Sequence, residues 1–332
     1  MTFPAISMLR RRFGDAQIDI IARPWVSHVY KCHGAINNVL ELSNGRGTKR
    51  WLSIFKDAKL IKGINYDIGI LFPNSFESAF LFKLSNIPEI VGYTTDLRAP
   101  FLTNKISTPP DKNKNHEIFY YLSLIKRAFS IQDDEYSNRP LIEFRISNSY
   151  IKSTKYKLKR LGISFDKIFV GINPGAAYGP AKCWPVERYK ELAKRLLNLS
   201  KDIYVLVFGT ASENNVGREI RTVNLERVFN LCGKTTLMEA ICTISMLNLM
   251  VTNDSGLMHI AAACNIPIVA IFGSTNPITT GPWSENAIII RKELSCSPCL
   301  KRDCNKGFEC MLGIEVKDVL KACKRHLKKL DL

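Results

Sequence analysis

The chain has 332 residues, 46% of them apolar, and its 47 Lys and Arg against 30 Asp and Glu give a formal charge of +17. That length buries at least one large core and divides most naturally into two α/β domains. No apolar run approaches the ~20 residues that span a bilayer, Met1-Thr2-Phe3-Pro4-Ala5 lacks the features of a secretory leader, and ten cysteines indicate a reducing compartment rather than a disulfide scaffold. The charge predicts anionic partners, phosphorylated lipid or an acidic membrane face. Nucleic acid is disfavoured, because no helix-turn-helix or stacking-aromatic signature accompanies the basic clusters at Arg10-Arg11-Arg12 and Lys324–Lys329.

In chain order, Pro4–Phe13 fits a helix with Ile6, Leu9 and Phe13 on one face, and Ile18–Ile21 a strand behind it. A doubly wound domain normally opens with a strand, and none precedes that helix. Strand and helix then alternate through Val39–Leu42, Lys49–Ile61, Asp67–Phe72, Ser75–Leu84 and Ile90–Tyr93, a rhythm that predicts a parallel sheet covered on both faces. Thr94–Asn115 lapses into a long polar loop. Glu117–Phe129 reads as helix, and Ile131–Thr154 as irregular and polar, the best linker candidate. From Phe165 the alternation resumes, with strands at Ile203–Gly209, Val228–Leu231, Leu247–Val251 and Ile266–Phe272, and a basic helix, Glu315–Leu330, closes the chain.

Two strand-to-helix turns suit phosphate. Val251-Thr252-Asn253-Asp254-Ser255-Gly256-Leu257-Met258-His259 leaves an apolar run and enters an Ala-rich helix, with Asp254 or Ser255 as N-cap; free N–H groups and the helix dipole there favour an anion. Ile168–Gly175 is a second strand ending in Pro-Gly, followed by Gly179 and by Lys182, a point charge for phosphate. Both turns in one parallel sheet indicate a nucleotide site. Gly233-Lys234-Thr235-Thr236 imitates the end of a P-loop, but the upstream glycine position is Val228, which excludes an NTPase of that class. Cys296-x2-Cys299-x4-Cys304-x5-Cys310 could clasp a structural zinc or could be incidental thiols; both readings stay open.

Asn173-Pro174-Gly175-Ala176-Ala177-Tyr178-Gly179-Pro180-Ala181-Lys182-x-Trp184-Pro185, then Asn253-Asp254-Ser255-Gly256-x-x-His259, then Phe272-Gly273-Ser274-Thr275-x-Pro277 resemble glycosyltransferase family 9, the bacterial lipopolysaccharide heptosyltransferases, and most closely its heptosyltransferase II branch. The resemblance implies a GT-B architecture, two Rossmann-like doubly wound α/β domains facing across a cleft. The expected division is an acceptor-side domain over residues 1–150, a linker over 151–164, a nucleotide-sugar domain over 165–312, and a basic helix over 313–332 that packs back toward the first domain.

It also implies an inverting enzyme that moves heptose from ADP-L-glycero-D-manno-heptose to the heptose of the lipopolysaccharide inner core. Such an enzyme needs no catalytic metal, and it works in the cytoplasm, peripheral on the inner face of the inner membrane. By resemblance Ala177 and Tyr178 line the diphosphate loop, Lys182 neutralises the departing ADP, Glu213 meets the ribose, Thr235 the nucleotide, and Asp254, Ser255, Gly256 and His259 complete the donor site. Arg98 and Lys105, with Lys112, would meet phosphates of the lipid A-core acceptor. The family's base is an aspartate in a Gly-Asp loop after a first strand, expected upstream of Met1, so no catalytic residue is assigned. Gly14-Asp15 follows the first helix and reads as an ordinary turn. Either the start lies at an internal Met or the chain is a truncated, non-catalytic remnant that binds ADP-sugar or anionic lipid; a related transferase using another nucleotide sugar is the third reading.

Overall fold

The computed structural model describes residues 1–43, 45, 49–132, 138, 140–176 and 178–328. The chain forms two compact units, Met1–Arg145 and Ile146–Leu332. In the first, helix α1 (Phe3–Arg12) has Pro at its first turn and Arg10, Arg11 and Arg12 in its last, the order that the helix dipole favours. Every residue from Phe3 to Leu9 is buried. Arg10 serves the fold: its guanidinium donates to the carbonyls of Gly14 (2.8 Å), Ala16 (2.6 Å) and Ala35 (2.9 Å) and to Asn37 Oδ1 (2.7 Å).

After α1 come β1 (Asp19–Ala22), α2 (Pro24–Tyr30), β2 (Asn38–Glu41), α3 (Lys49–Lys62), β3 (Ile68–Leu71), α4 (Phe76–Leu84), β4 (Glu89–Tyr93), β5 (Asn104–Ile106) and α5 (Glu117–Phe129). The expected parallel pairing is present, but in two separate sheets, β1–β2 and β3–β4–β5. Gly14-Asp15 lies in an exposed turn between α1 and β1, as its sequence position suggests.

The second unit opens with α6 (Asn148–Arg160) and continues through β6 (Ile168–Asn173), α7 (Val186–Leu197), β7 (Ile203–Val207), α8 (Asn214–Arg221), β8 (Val228–Asn230), α9 (Leu237–Ile244), β9 (Leu249–Asn253), α10 (Gly256–Ala263), β10 (Ile268–Phe272), α11 (Pro277–Thr280), β11 (Ala287–Arg291), α12 (Glu309–Leu312) and α13 (Val316–Leu327). Its six strands form one parallel sheet in the order β11-β10-β9-β6-β7-β8. β6, the first in sequence, lies in the middle beside β9, and the winding reverses between them. Ligands of doubly wound sheets bind at the carboxyl ends of strands that flank such a reversal.

Two expectations about boundaries are corrected. Residues 151–164 are not a linker, since most of them belong to α6, which packs on α9, buries Thr154 and Leu158, and pairs Lys157 with Glu239 at 2.7 Å. The buried stripe is so narrow that the segment reads as polar. The closing helix α13 is no segment separate from the nucleotide-sugar domain: its Val319, Ala322, Cys323 and Leu327 lie in the second unit's own core with Trp184, Tyr189 and Leu192. Trp184 Nε1 fastens the approach to α13 by donating to the carbonyl of Ile314 at 3.0 Å.

Candidate functional site

The two motif loops leave neighbouring strands at the switch point, and two buried asparagines brace them together. Asn253, at the end of β9, donates from Nδ2 to the carbonyl of Pro174 (2.7 Å), while its Oδ1 accepts from the Trp184 N–H (3.2 Å) and the Tyr189 hydroxyl (2.8 Å). Asn173, at the end of β6, donates to Thr252 Oγ1 (3.1 Å) and Ser255 Oγ (2.7 Å). Ser255 in turn caps α10, accepting from the Met258 N–H at 3.4 Å. A satisfied polar network of this kind holds loop backbone in one arrangement before any ligand arrives.

Lys182 Nζ lies 2.6 Å from Asp254 Oδ2, and both side chains are largely shielded from water. Thr280 Oγ1 reaches the same carboxylate oxygen at 3.4 Å. The sequence reading placed both charged residues at the donor, and the structure brings them into direct contact, the lysine from the first loop and the aspartate from the second. Tyr178 anchors the first loop by donating from its hydroxyl to the carbonyl of Leu300 at 2.6 Å, and its ring has Lys182 Nζ 4.6 Å from the centroid. Gly256 opens α10 exposed, and half-buried His259 sits one turn further on. Ala177 lies outside the described residues.

Glu213 does two things at once. Its Oε2 accepts from the Thr210 N–H (2.6 Å) and hydroxyl (2.8 Å), completing a capping box. The carboxylate also rests on Gly175, where a Cβ would stand 1.4 Å from Oε1, so only glycine admits this approach. The loops after β6 and β7 therefore meet at Glu213. Thr235 lies in the next loop, tied alongside by the Gly233 N–H to the carbonyl of Gly209 at 3.0 Å. Half-buried Cys183 is unsuited as a nucleophile, because burial, and then the charge of Glu213, push its thiol up from the ordinary value.

On the acceptor side, Arg98 is corrected. It is fully buried, donating from Nε to the carbonyl of Tyr93 at 2.8 Å and from Nη1 to the carbonyl of Pro73, so it ties two loops of the first unit together and presents nothing to a phosphate at the surface. Lys105 is exposed on β5. Lys112 stands 4.3 Å from the centre of the Tyr120 ring and lines an open hollow of about 460 Å³ with His116, Lys126 and Arg127.

Among the described residues, no three His, Cys, Asp or Glu side chains lie where they could together hold a metal ion. Cys299 is exposed, Cys296 and Cys304 are half-buried, and Cys310 is buried, where desolvation, and then the neighbouring Cys304, Cys299 and Cys296, push its thiol up. Cys304 Sγ accepts the N–H groups of Lys306 (3.3 Å) and Phe308 (3.4 Å), closing a turn of the chain on itself. The segment docks on the loops after β6 and β10: Ala181 N–H donates to the carbonyl of Arg302 (3.1 Å), Leu300 N–H to that of Ser274 (2.8 Å), and Ser297 Oγ to that of Gly273 (2.7 Å).

The sequence reading gave no role to Asn173, Asn253, Ser274 or Thr275, although all four stand inside the quoted motifs. The signal for Asn173 and Asn253 is a polar residue at the end of an otherwise apolar strand, and for Ser274 and Thr275 a pair of hydroxyls just past Gly273 after β10. Ser274 Oγ and Thr275 Oγ1 are buried and have no hydrogen-bond partner among the described residues.

Residues 54–308 match the model of glycosyltransferase family 9 (heptosyltransferase). The chain is 30% identical over 309 residues to lipopolysaccharide heptosyltransferase 2 of Escherichia coli K12, covering 90% of this chain and 86% of that one. It is also 30% identical over 295 residues to lipooligosaccharide heptosyltransferase 2 of Haemophilus influenzae, with 88% and 84% covered. The solved structure of E. coli ADP-heptose lps heptosyltransferase II superposes with a TM-score of 0.82 at 26% identity, covering 100% of this chain and 95% of that one, and its α/β fold is of the GT-B type.

Proposed function

This chain belongs to glycosyltransferase family 9 and is a glycosyltransferase, and we propose that it moves heptose from ADP-L-glycero-D-manno-heptose to the inner core of lipopolysaccharide. The observation that carries the reading is the meeting of Lys182 with Asp254 at the capped N-terminus of α10, at the switch point of the second unit's sheet. A fixed cation beside free helix N–H groups stabilises the diphosphate as it departs without help from a metal. Glu213, beside Gly175, faces the ribose, and Thr235 the nucleotide. Tyr178, Ser255, Gly256 and His259 complete the walls.

In the reaction the acceptor hydroxyl oxygen bonds to the anomeric carbon from the side opposite the diphosphate. The bond from that carbon to the diphosphate oxygen breaks, the configuration inverts, and a base takes the hydroxyl proton. The acceptor is the heptose-bearing lipid A core, met on the first unit by Lys105 and the basic hollow at Lys112, Lys126 and Arg127. The protein works in the cytoplasm against the inner face of the inner membrane. Its charge of +17 supports that placement, and no helix among the described residues is long and apolar enough to cross a membrane.

The test is transfer of heptose from ADP-heptose to a heptose-bearing lipid A-core acceptor, with the product anomer read by NMR and with ADP and UDP compared as competitors. Transfer with inversion, blocked by ADP more strongly than by UDP, is the expected result. Retention of configuration refutes the single displacement, and stronger block by UDP refutes the donor. Binding of ADP-heptose without transfer leaves the non-catalytic reading in its place.

A further inference from the structure

We infer that Arg302, carried on the cysteine-rich segment between β11 and α12, is a donor-binding residue that grips the diphosphate together with Lys182. The inference rests on the donor reading above and adds a residue from outside the matched motifs.

Three observations lead there. The first is where Arg302 is held. Its own carbonyl accepts the N–H of Ala181 in the diphosphate loop at 3.1 Å, and Gly179 turns to φ 148° beneath it, where a Cβ would stand 2.6 Å from that oxygen. With Tyr178 bonded to Leu300 and Leu300 to Ser274, residues 300–302 are fastened to the loop after β6 and to the loop after β10. The main chain that presents the guanidinium thus moves with the phosphate loop.

The second is charge. The Arg302 guanidinium lies 5.2 Å from the centre of the Tyr178 ring, the same ring that Lys182 Nζ approaches at 4.6 Å. Two cations gathered on one phenol ring suit a ligand with more than one negative charge. Lys182 is already paired with Asp254, whereas Arg302 has no carboxylate partner among the described residues. Its fork of N–H groups matches two phosphate oxygens at once, which a lysine ammonium does not.

The third is a pair of orphans. Ser274 Oγ and Thr275 Oγ1 are buried without a partner among the described residues, in the loop to which residues 297–300 are tied. Buried hydroxyls are rarely left unpaired in a finished site, so these two are the independent sign of a polar ligand here.

The experiment is calorimetric titration of the full chain with ADP and with AMP, for the wild type, Arg302→Gln and Arg302→Lys. Arg302→Gln is expected to weaken ADP on the order of tenfold or more, with AMP changed by less than about threefold, because the fork spans the diphosphate. Arg302→Lys is expected to recover part of the loss. It keeps the charge and the stem, so it also reports should Arg302→Gln fail to fold. ADP binding by both variants within twofold of the wild type, or equal losses for ADP and AMP, overturns the inference while the donor reading stands. A wild type that binds no ADP overturns both.

Discussion

The two units share one structural rhythm and use it differently. In the second, six strands form one parallel sheet, so the loops after β6, β7, β8 and β9 open on the same edge and their polar residues converge. In the first, the five strands among the described residues are divided between sheets of two and three, and the side chains that the sequence marks as functional scatter: Arg98 is buried, Lys105 is exposed on β5, and Lys112 sits over Tyr120. The lesson is that a motif becomes a site only where neighbouring strands bring its loops together.

If the second unit holds the donor chemistry, Lys182→Met should cost the most. We expect kcat/KM for transfer to fall by about 10²- to 10³-fold with the melting temperature little changed; steady-state rates with ADP-heptose decide it, and a loss below tenfold would move the chemistry elsewhere. The next largest effect falls on stability. Asn253→Ala removes three buried hydrogen bonds and leaves the Trp184 N–H, the Tyr189 hydroxyl and the Pro174 carbonyl to find other partners. Urea unfolding should register a loss of about 3 kcal/mol. The counterpart in the first unit, Arg98→Met, should cost about 2 kcal/mol in the same experiment and leave ADP binding intact; weakened ADP binding in that variant would erase the contrast between the units.

A smaller effect separates them by pH. His33 packs under α1, with Nε2 3.0 Å from Ser7 Oγ and Nδ1 accepting the Ala35 N–H at 3.1 Å, and burial lowers its pKa from 6.5 despite the opposing charge of Glu143. The folded state then binds the proton less readily than the unfolded chain. This contribution is fully present above pH 6.5 and is lost as the pH falls below that value. Melting temperatures at pH 7.5 and 5.5 should drop further for the wild type than for His33→Gln, and equal drops would assign the acid sensitivity to other groups. Least of all should follow from chelation: dialysis against EDTA should leave transfer unchanged, because in this reading Lys182 and helix N–H groups rather than a metal meet the diphosphate. A lower melting temperature after dialysis would place a structural metal on the cysteines of the 296–310 segment, and an unchanged one would leave them as thiols.

Several elements were legible from residue pattern alone. Strands β6, β7, β9 and β10 read as continuous apolar runs because strands of a parallel sheet are buried on both faces. Helix α6 was not legible, since a surface helix that buries little beyond Thr154 and Leu158 leaves too weak a periodicity to separate from a polar linker. The partner of α13 was also hidden: its amphipathic face announces burial but not the surface that receives it.

What the sequence by itself determined is the class of chemistry: two phosphate-suited turns after apolar strands, in an order and spacing that resemble one family. Local residue types suffice for that, because strand ends, caps and turns are set by near neighbours. Only the tertiary structure decided that Lys182 meets Asp254, that Glu213 rests on Gly175, that Arg98 is buried and that Arg302 is fastened beside Tyr178. Those pairings join residues up to 124 positions apart, and their geometry depends on strand order and loop packing, which no local pattern encodes.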